Sequence, residues 1–401
     1  MNKHVIKLVG GTFDNANGKP SNVISEIYNF LCTHADNLLH QHNIIEYKNG
    51  GNIENIKTLL TDIKENKPDI IFWFPNISNK EEKSRNIKEL YPETMLITSK
   101  RNDNNKYSFQ QLLQHALMLK ANMTFEFSKQ TDGKFNIHIF DPLGCEYYNG
   151  TDIQSAVQAC LNRLNFISKI TRRKTTPAPE DKNLILSYYF DRFSTEMYPS
   201  EKEVPIPEIE DFITIVKEHA EIFQKLMGTT DIKRFLGNAS MKTPPQVGRC
   251  TKGMPSFKYH DYIFVSQRNI DKQFISHENF VPTYEENGKI YYCGNKKPSV
   301  DTPIQLKLYH NLPNIRYMIH SHNYIRNAPF TLTPIPCGAV EEADEILHVI
   351  DKEYTRYTNC CAVNLIGHGS VIMASEPKML KKYTSLYYKR PLPERIKPME
   401  L

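Results

Sequence analysis

Two short histidine motifs in the last quarter of the chain contain residue types that bind metals. His320 and His322 flank one serine and follow the apolar run 317–319, whereas His368 stands between two glycines after the apolar run 362–366. On a β-strand, side chains two positions apart point to the same face, so the imidazoles of His320 and His322 would converge. Flanking glycines would let His368 approach that face without steric hindrance.

Three histidines that converge in this way predict a catalytic metal site. Catalytic zinc commonly has three protein ligands and one open coordination position, which water or substrate fills. The alternative is that the histidines are satisfied polar residues near strand ends, which is the ordinary explanation for a single histidine. Because two such motifs follow two strand-like runs, we predict that His320, His322 and His368 bind a divalent metal, with zinc as the expected ion.

Composition restricts the classes of protein to which the chain can belong. The 401 residues are enough for two or three domains, and 40% hydrophobic with 24% charged residues is ordinary for a globular protein. The net charge of +5 is small for this length. It permits anionic ligands without indicating a nucleic-acid partner, which we therefore do not expect.

Cysteine usage and the lack of long apolar runs predict a cytoplasmic protein. Eight cysteines are irregularly spaced and none forms a C-x-x-C pair, so we expect reduced thiols. No signal peptide follows Met1, and no apolar run reaches the length of about 18 residues that a membrane span needs. We therefore expect no contact with a membrane.

Strand-type and helix-type segments alternate through the first 170 residues. This alternation predicts an α/β fold with a doubly wound, Rossmann-like parallel sheet. A β-hairpin with an Asp-Gly turn and a closing helix over 153–167 would complete this domain. Strands are predicted over 5–9, 43–47, 69–74, 94–98, 123–127 and 135–140, and helices from Ser21 and over 53–64, 80–90 and 107–119.

The loop after the first strand is the candidate ligand site of this half. Gly10, Gly11 and Thr12 lie between a buried strand and a helix, where free backbone N–H groups can bind an anion. A full G-x-G-x-x-G or Walker sequence is absent, so a simple tight turn remains an equally open explanation. We predict a nucleotide-binding or anion-binding domain over residues 1–170.

A charged, proline-interrupted stretch over residues 171–206 predicts a linker between two domains. The second domain would then cover residues 207–401. It opens with an amphipathic helix over 207–227, followed by strands over 263–266 and 289–293 and a helix over 303–309.

The order of motifs in the second half resembles the class II aldolase/adducin superfamily. A Gly-Asn-x-Ser stretch begins at Gly237, a Pro-Ser-x-acid stretch ends at Asp301 before a helix, and the His-x-His and His-Gly motifs follow. The resemblance covers roughly residues 207–390. It implies a compact α/β/α domain, assembly as a homo-oligomer (a tetramer in this family), and a small phosphorylated substrate.

The resemblance also implies roles for single residues. It assigns the metal to His320, His322 and His368, catalysis to Asp301, and the substrate pocket to Gly237, Asn238 and Ser299. The phosphate-binding loop of the family corresponds to a segment that contains Ser266 and Arg268. Asp301 stands where the family usually has Glu, and Arg268 replaces small donors. From the sequence alone, Asp301 could equally cap the helix that follows it, since Asp is a favoured N-cap.

These residues predict a metal-dependent, class II aldolase-like lyase that acts on a small sugar-like phosphate through an enediolate. Dehydratase, epimerase and decarboxylase reactions would use the same metal. The alternative from a different class is a non-catalytic oligomeric scaffold with a nucleotide-binding N-terminal domain. The three histidines favour the enzyme.

Limited proteolysis is expected to cut first within residues 171–206, because a charged stretch interrupted by prolines has few apolar anchors. Mass spectrometry of the early fragments locates the cut. A first cut within 1–165 or 210–390 would contradict this boundary.

Overall fold

The computed structural model of the chain divides into two compact units. Met1–Arg192 and Pro391–Leu401 form the first unit, and Phe193–Arg390 form the second. The structure describes residues 4–11, 19–51, 53–75, 87, 91, 94–170, 196–227, 235–243 and 262–396. Most of the predicted helix over 80–90 and most of the predicted linker therefore lie outside the described residues.

Among its described residues, the first unit contains four α-helices and a sheet of eight strands. Its strands are β1 (His4–Gly10), β2 (Asn43–Asn49), β3 (Ile70–Trp73), β4 (Met95–Arg101), β5 (Met123–Lys129), β6 (Phe135–Phe140), β7 (Cys145–Gly150) and β18 (Glu394–Arg395). Its helices are α1 (Asn22–Leu39), α2 (Ile53–Glu65), α3 (Phe109–Leu119) and α4 (Ile153–Ile170), with a 3₁₀ turn at Asp103–Asn105.

The strand order of the first sheet is β18-β7-β6-β5-β4-β3-β1-β2. The strands β2-β1-β3-β4-β5 run parallel, in one of the two common orders of doubly wound sheets. Both faces of the sheet are covered, since Ile6 and Leu8 on one face of β1 and Val9 on the other are all fully buried. The predicted Rossmann-like arrangement is confirmed.

Strand β7 was not predicted, because no strand signal was recognised between the strand over 135–140 and the helix over 153–167. Asp141 produces the difference, since its Oδ1 accepts hydrogen bonds from the backbone N–H groups of Leu143, at 2.9 Å, and of Cys145, at 3.1 Å. This Asp turn reverses the chain immediately, so that β7 pairs antiparallel with β6.

The described end of the chain belongs to the first sheet. In β18, Glu394 pairs in parallel with Cys145 of β7, and the Ile396 N–H donates to the Glu146 carbonyl at 3.0 Å. From the sequence these residues were predicted to belong to the C-terminal domain, because β18 has only two residues and no recognisable period. The other predicted domain boundaries remain predictions.

The described part of the second unit contains three α-helices around an eight-stranded sheet, with a small two-stranded sheet beside it. Its strands are β8 (Met197–Ser200), β9 (Asn238–Lys242), β10 (Ile263–Ser266), β11 (Phe280–Glu286), β12 (Lys289–Cys293), β13 (Tyr317–Ser321), β14 (Tyr324–Ile325), β15 (Cys360–Leu365), β16 (Gly369–Ala374) and β17 (Tyr387–Tyr388). Its helices are α5 (Glu210–Met227), α6 (Thr302–Asn311) and α7 (Glu341–Glu353), with 3₁₀ helices at Lys272–Phe274, His277–Asn279 and Pro377–Leu386.

The sheet of the second unit separates two apolar layers. Its order is β15-β16-β13-β9-β10-β11-β12-β8, and only the β12–β8 pair is parallel. Along β13, Ile319 packs into the core under α5, whereas Met318 packs into the core under α6 and α7. Because strand side chains alternate, His320 points to the same side as Met318, toward α6 and α7. The α/β/α arrangement implied by the sequence is therefore present.

Among the described residues, no helix combines the length and the apolar character that crossing a lipid bilayer requires.

The start of β16 approaches the end of β13 very closely. A Cβ atom on Gly369 would lie 1.9 Å from the Ser321 carbonyl oxygen and 2.7 Å from the Cα atom of His322. No side chain fits in this space. The segment after β13 can therefore lie beside the β15–β16 turn only if residue 369 is a glycine.

Replacing Gly369 with Ala is expected to destabilise the protein by about 3 kcal/mol, at the upper end of the usual cost of overpacking. Gly288→Ala is the control, because its Cβ would meet nothing within 4 Å and only its positive φ of +70° opposes the change. That control should cost about 1–2 kcal/mol. Urea denaturation measures both, and a Gly369→Ala variant as stable as the wild type would contradict the close approach.

Candidate metal centre

The three predicted histidines lie together in the second unit. His320 belongs to β13, His322 follows its end, and His368 occupies the turn between β15 and β16. The ring centroids are 4.6–5.1 Å apart, and one nitrogen of each ring can be chosen so that all three lie within 4.8 Å of one another. Nitrogens at this separation can bind one ion.

The turn that holds His368 follows from its two glycines. Leu365 pairs with Gly369, which leaves three residues to reverse the chain, and Gly367 adopts a φ of +74° that favours glycine. The N–H of His368 donates to the Leu365 carbonyl at 2.9 Å and closes the turn. The Gly-His-Gly pattern thus describes a tight turn whose tip carries the histidine.

The protonation of His320 suits a metal ligand. Its Nδ1 lies 2.9 Å from the Ser370 carbonyl oxygen, which can only accept, so this nitrogen carries the hydrogen. Its Nε2 is buried without a hydrogen-bond partner among the described residues. Burial, and then the proximity of His368, lowers the pKa of His320 to about 4, so the ring is neutral at pH 7. Burial likewise holds the pKa of His322 well below its usual range.

His368 has a carboxylate partner that the sequence analysis did not identify. Its Nδ1 is 2.6 Å from Oε1 of Glu342 in the first turn of α7, and both residues are buried. Burial raises the pKa of Glu342 well above its ordinary value. The only sequence signal was an acidic residue at a helix start, which the helix dipole ordinarily explains.

Asp301 is buried beside this cluster, and its carboxylate is held by side chains. Its Oδ2 accepts from Asn238 Nδ2 at 2.6 Å and from the Ser299 hydroxyl at 3.4 Å, and the Cys337 thiol is 3.8 Å from Oδ1. Asp301 occupies the N-cap position of α6, but its side chain makes no capping hydrogen bond. From the sequence, Asp301 could be a catalytic residue or a helix cap. Its side chain does not cap the helix.

Two further residues orient the Asp301 carboxylate. Gln305, one turn into α6, donates through Nε2 to Oδ1 of Asn238, and this fixes the Asn238 amide with its NH₂ group toward Asp301. Gly237 precedes Asn238 with a φ of +81°, and a Cβ there would lie 2.5 Å from the His320 carbonyl oxygen. The Gly-Asn pair is therefore packed directly against the histidine strand.

Ser266 and Arg268 shape the loop that carries Asp301. The buried Ser266 hydroxyl accepts from the Ala239 N–H at 3.1 Å, and its carbonyl accepts from the Ser299 N–H at 3.1 Å. The half-buried Arg268 donates through Nε to the Pro298 carbonyl at 3.2 Å. Both residues thus support the segment 297–301, while their predicted contacts with a substrate remain predictions.

The predicted anion site of the first unit is only partly described. Gly10 ends β1, and its carbonyl accepts from the Gly50 N–H at 3.0 Å, while Gly11 has a φ of +131°. Thr12 lies outside the described residues. Gly10 and Gly11 stand at the carboxyl end of a central parallel strand, which is where doubly wound sheets bind ligands. Ligand binding at this position remains a prediction.

Part of the second unit is similar to one family of known proteins. Residues 217–385 match the family described as "Class II Aldolase and Adducin N-terminal domain". A search of curated protein sequences gives no match. Among solved structures, the L-fuculose 1-phosphate aldolase from Glaciozyma antarctica PI12 is 10% identical, over 46% of this chain and 76% of that chain, with a TM-score of 0.27. A likeness of this size has no bearing on activity. The family match lies wholly within the second unit, which carries the three histidines and Asp301.

Proposed function

We propose that the second unit is a metal-dependent lyase of the class II aldolase type, which acts on a small sugar-like phosphate through an enediolate. One observation carries the proposal: three imidazoles converge within 4.8 Å beside the buried carboxylate of Asp301. Neutral imidazoles are metal ligands, and a nearby carboxylate that is not among them can exchange protons.

The donor set fits a divalent ion. His320, His322 and His368 would hold it, with zinc as the expected ion, because three nitrogen ligands leave one coordination position for a substrate. Such an ion would act as a Lewis acid toward the carbonyl and hydroxyl oxygens of a ketose and would stabilise the negative charge that develops on them. Asp301 is not a member of the converging ligand set among the described residues.

Asp301 is the proposed proton carrier. In the cleavage direction, the bond between the α and β carbons breaks, the β-hydroxyl loses its proton as the aldehyde forms, and the α carbon gains a proton. Asn238 and Ser299 hold one carboxylate oxygen of Asp301, which fixes its direction before the reaction. A carboxylate with a fixed direction needs less reorganisation when it transfers a proton.

The phosphate end of the substrate is assigned to the loop that carries Arg268. A guanidinium group binds phosphate through several parallel hydrogen bonds. Arg268 already braces the loop before Asp301, so a phosphate bound there would place the carbon skeleton near the carboxylate. We extend the proposal to a homo-oligomer, as the family resemblance implies.

The double substitution His320→Ala/His322→Ala is expected to abolish stoichiometric metal, because it removes two of the three imidazoles. Elemental analysis after dialysis against a chelator measures zinc per chain. The control is His310→Ala/His348→Ala, which changes two exposed histidines elsewhere in the second unit. A double variant at positions 320 and 322 that retains one zinc per chain would place the metal elsewhere.

Asp301→Asn is expected to slow turnover by about 10²–10⁴-fold while leaving metal content and fold intact, since Asn cannot carry the proton. The assay follows aldehyde release from ketose phosphates by the zinc-loaded protein. Asp344→Asn is the matched control, because Asp344 is an exposed carboxylate on α7. Unchanged turnover in Asp301→Asn would remove this residue from the mechanism. Wild-type protein that binds zinc without turning over any ketose phosphate would favour the scaffold alternative.

A further inference from the structure

We propose that Glu342 is the positioning residue that keeps the hydrogen of His368 on Nδ1, so that the Nε2 lone pair faces the candidate metal. This inference rests on the proposed metal-dependent function, and it adds a residue that no motif of the sequence indicated.

The hydrogen-bond partners of the histidine rings determine which ring nitrogen carries the hydrogen. An imidazole can bind a metal through one nitrogen only, and the hydrogen-bond partner of the other nitrogen decides which one is available. In His320 that partner is the Ser370 carbonyl, at 2.9 Å from Nδ1. In His368 it is the Glu342 carboxylate, at 2.6 Å from Nδ1. Both rings therefore turn the same nitrogen, Nε2, to the centre.

The carboxyl group of Glu342 can orient His368 without binding the ion itself. A hydrogen bond from the outer ring nitrogen to a carboxyl oxygen fixes the ring and increases the basicity of the nitrogen that faces the metal. Glu342 offers such an oxygen at 2.6 Å from Nδ1 of His368. It is not one of the converging ligands among the described residues.

The position of Glu342 in α7 does not explain its burial. Acidic residues in the first turn of a helix are favourable because they face the positive end of its dipole, and exposed side chains do this adequately. Asp344 in the same turn is exposed, whereas Glu342 is 3% exposed. Removing a carboxylate from water is costly unless it gains a partner. The partner that the structure provides is His368.

The test compares zinc affinity in wild type, Glu342→Gln and Glu342→Ala, using zinc alone in competition with a chromogenic chelator. Loss of the carboxylate in Glu342→Ala is expected to weaken zinc binding by about 10–100-fold. Glu342→Gln keeps the shape and an acceptor oxygen, so its loss of zinc affinity should be smaller. Asp344→Asn is the control and should bind zinc as the wild type does.

A second readout reports the hydrogen directly. In zinc-loaded wild type, NMR with nitrogen-15-labelled histidine should show a strongly downfield Nδ1 proton on His368, assigned by its loss in His368→Ala. This signal should disappear or move upfield in Glu342→Ala. Circular dichroism of each variant establishes folding, and if Glu342→Ala does not fold, Glu342→Gln decides the question.

Zinc affinities of both Glu342 variants within about twofold of wild type, against the tenfold or larger loss expected for such a partner, would overturn the inference. The proposed function would then survive, because wild type would still bind zinc. Failure of wild type to bind zinc would instead overturn the proposed function, and the role of Glu342 with it.

Discussion

The candidate site depends on a close approach of three backbone segments around the end of β13. The turn after β15, the start of β16 and the residues before β9 all reach the strand that carries His320. Gly369 and Gly237 permit this, since a Cβ atom at either position would lie within 2.5 Å of a carbonyl oxygen of residue 321 or 320. Because the backbones meet so closely, side chains on different segments can share one centre.

Buried polar groups around this centre are held in pairs. His320 is oriented by a carbonyl, His368 by Glu342, Asp301 by Asn238, and Asn238 in turn by Gln305. Each hydrogen bond satisfies a polar group that would otherwise be costly to bury. Each also fixes the orientation of one side chain in the site. The side chains of the site are therefore oriented before a ligand binds.

Local patterns predicted the elements, whereas long-range contacts decided what the sequence left open. The alternation of strands and helices predicted the parallel sheet of the first unit, and the spacing of His320 and His322 predicted two convergent rings. Glu342 escaped notice because its partner lies 26 residues away, in a turn that only the folded chain brings near. The role of Asp301 stayed ambiguous for the same reason, since Asn238 is 63 residues distant. Neither β7, which depends on the Asp141 turn, nor the two-residue β18 shows a readable period.

The return of β18 to the first sheet bears on the order of synthesis. The second unit lies between β7 and β18 in the sequence, so the ribosome synthesises it before β18. Strand β7 therefore has no β18 partner until the last part of the chain has been made. Until then, the free hydrogen-bonding groups of β7 form an open edge of the kind that invites pairing with another molecule. The strand is short, and it is secured by Leu392, which packs onto α3 and beside Gly144. A nascent chain stalled in the second unit would therefore leave exposed the backbone groups of Cys145 and Glu146 that β18 pairs in the finished protein.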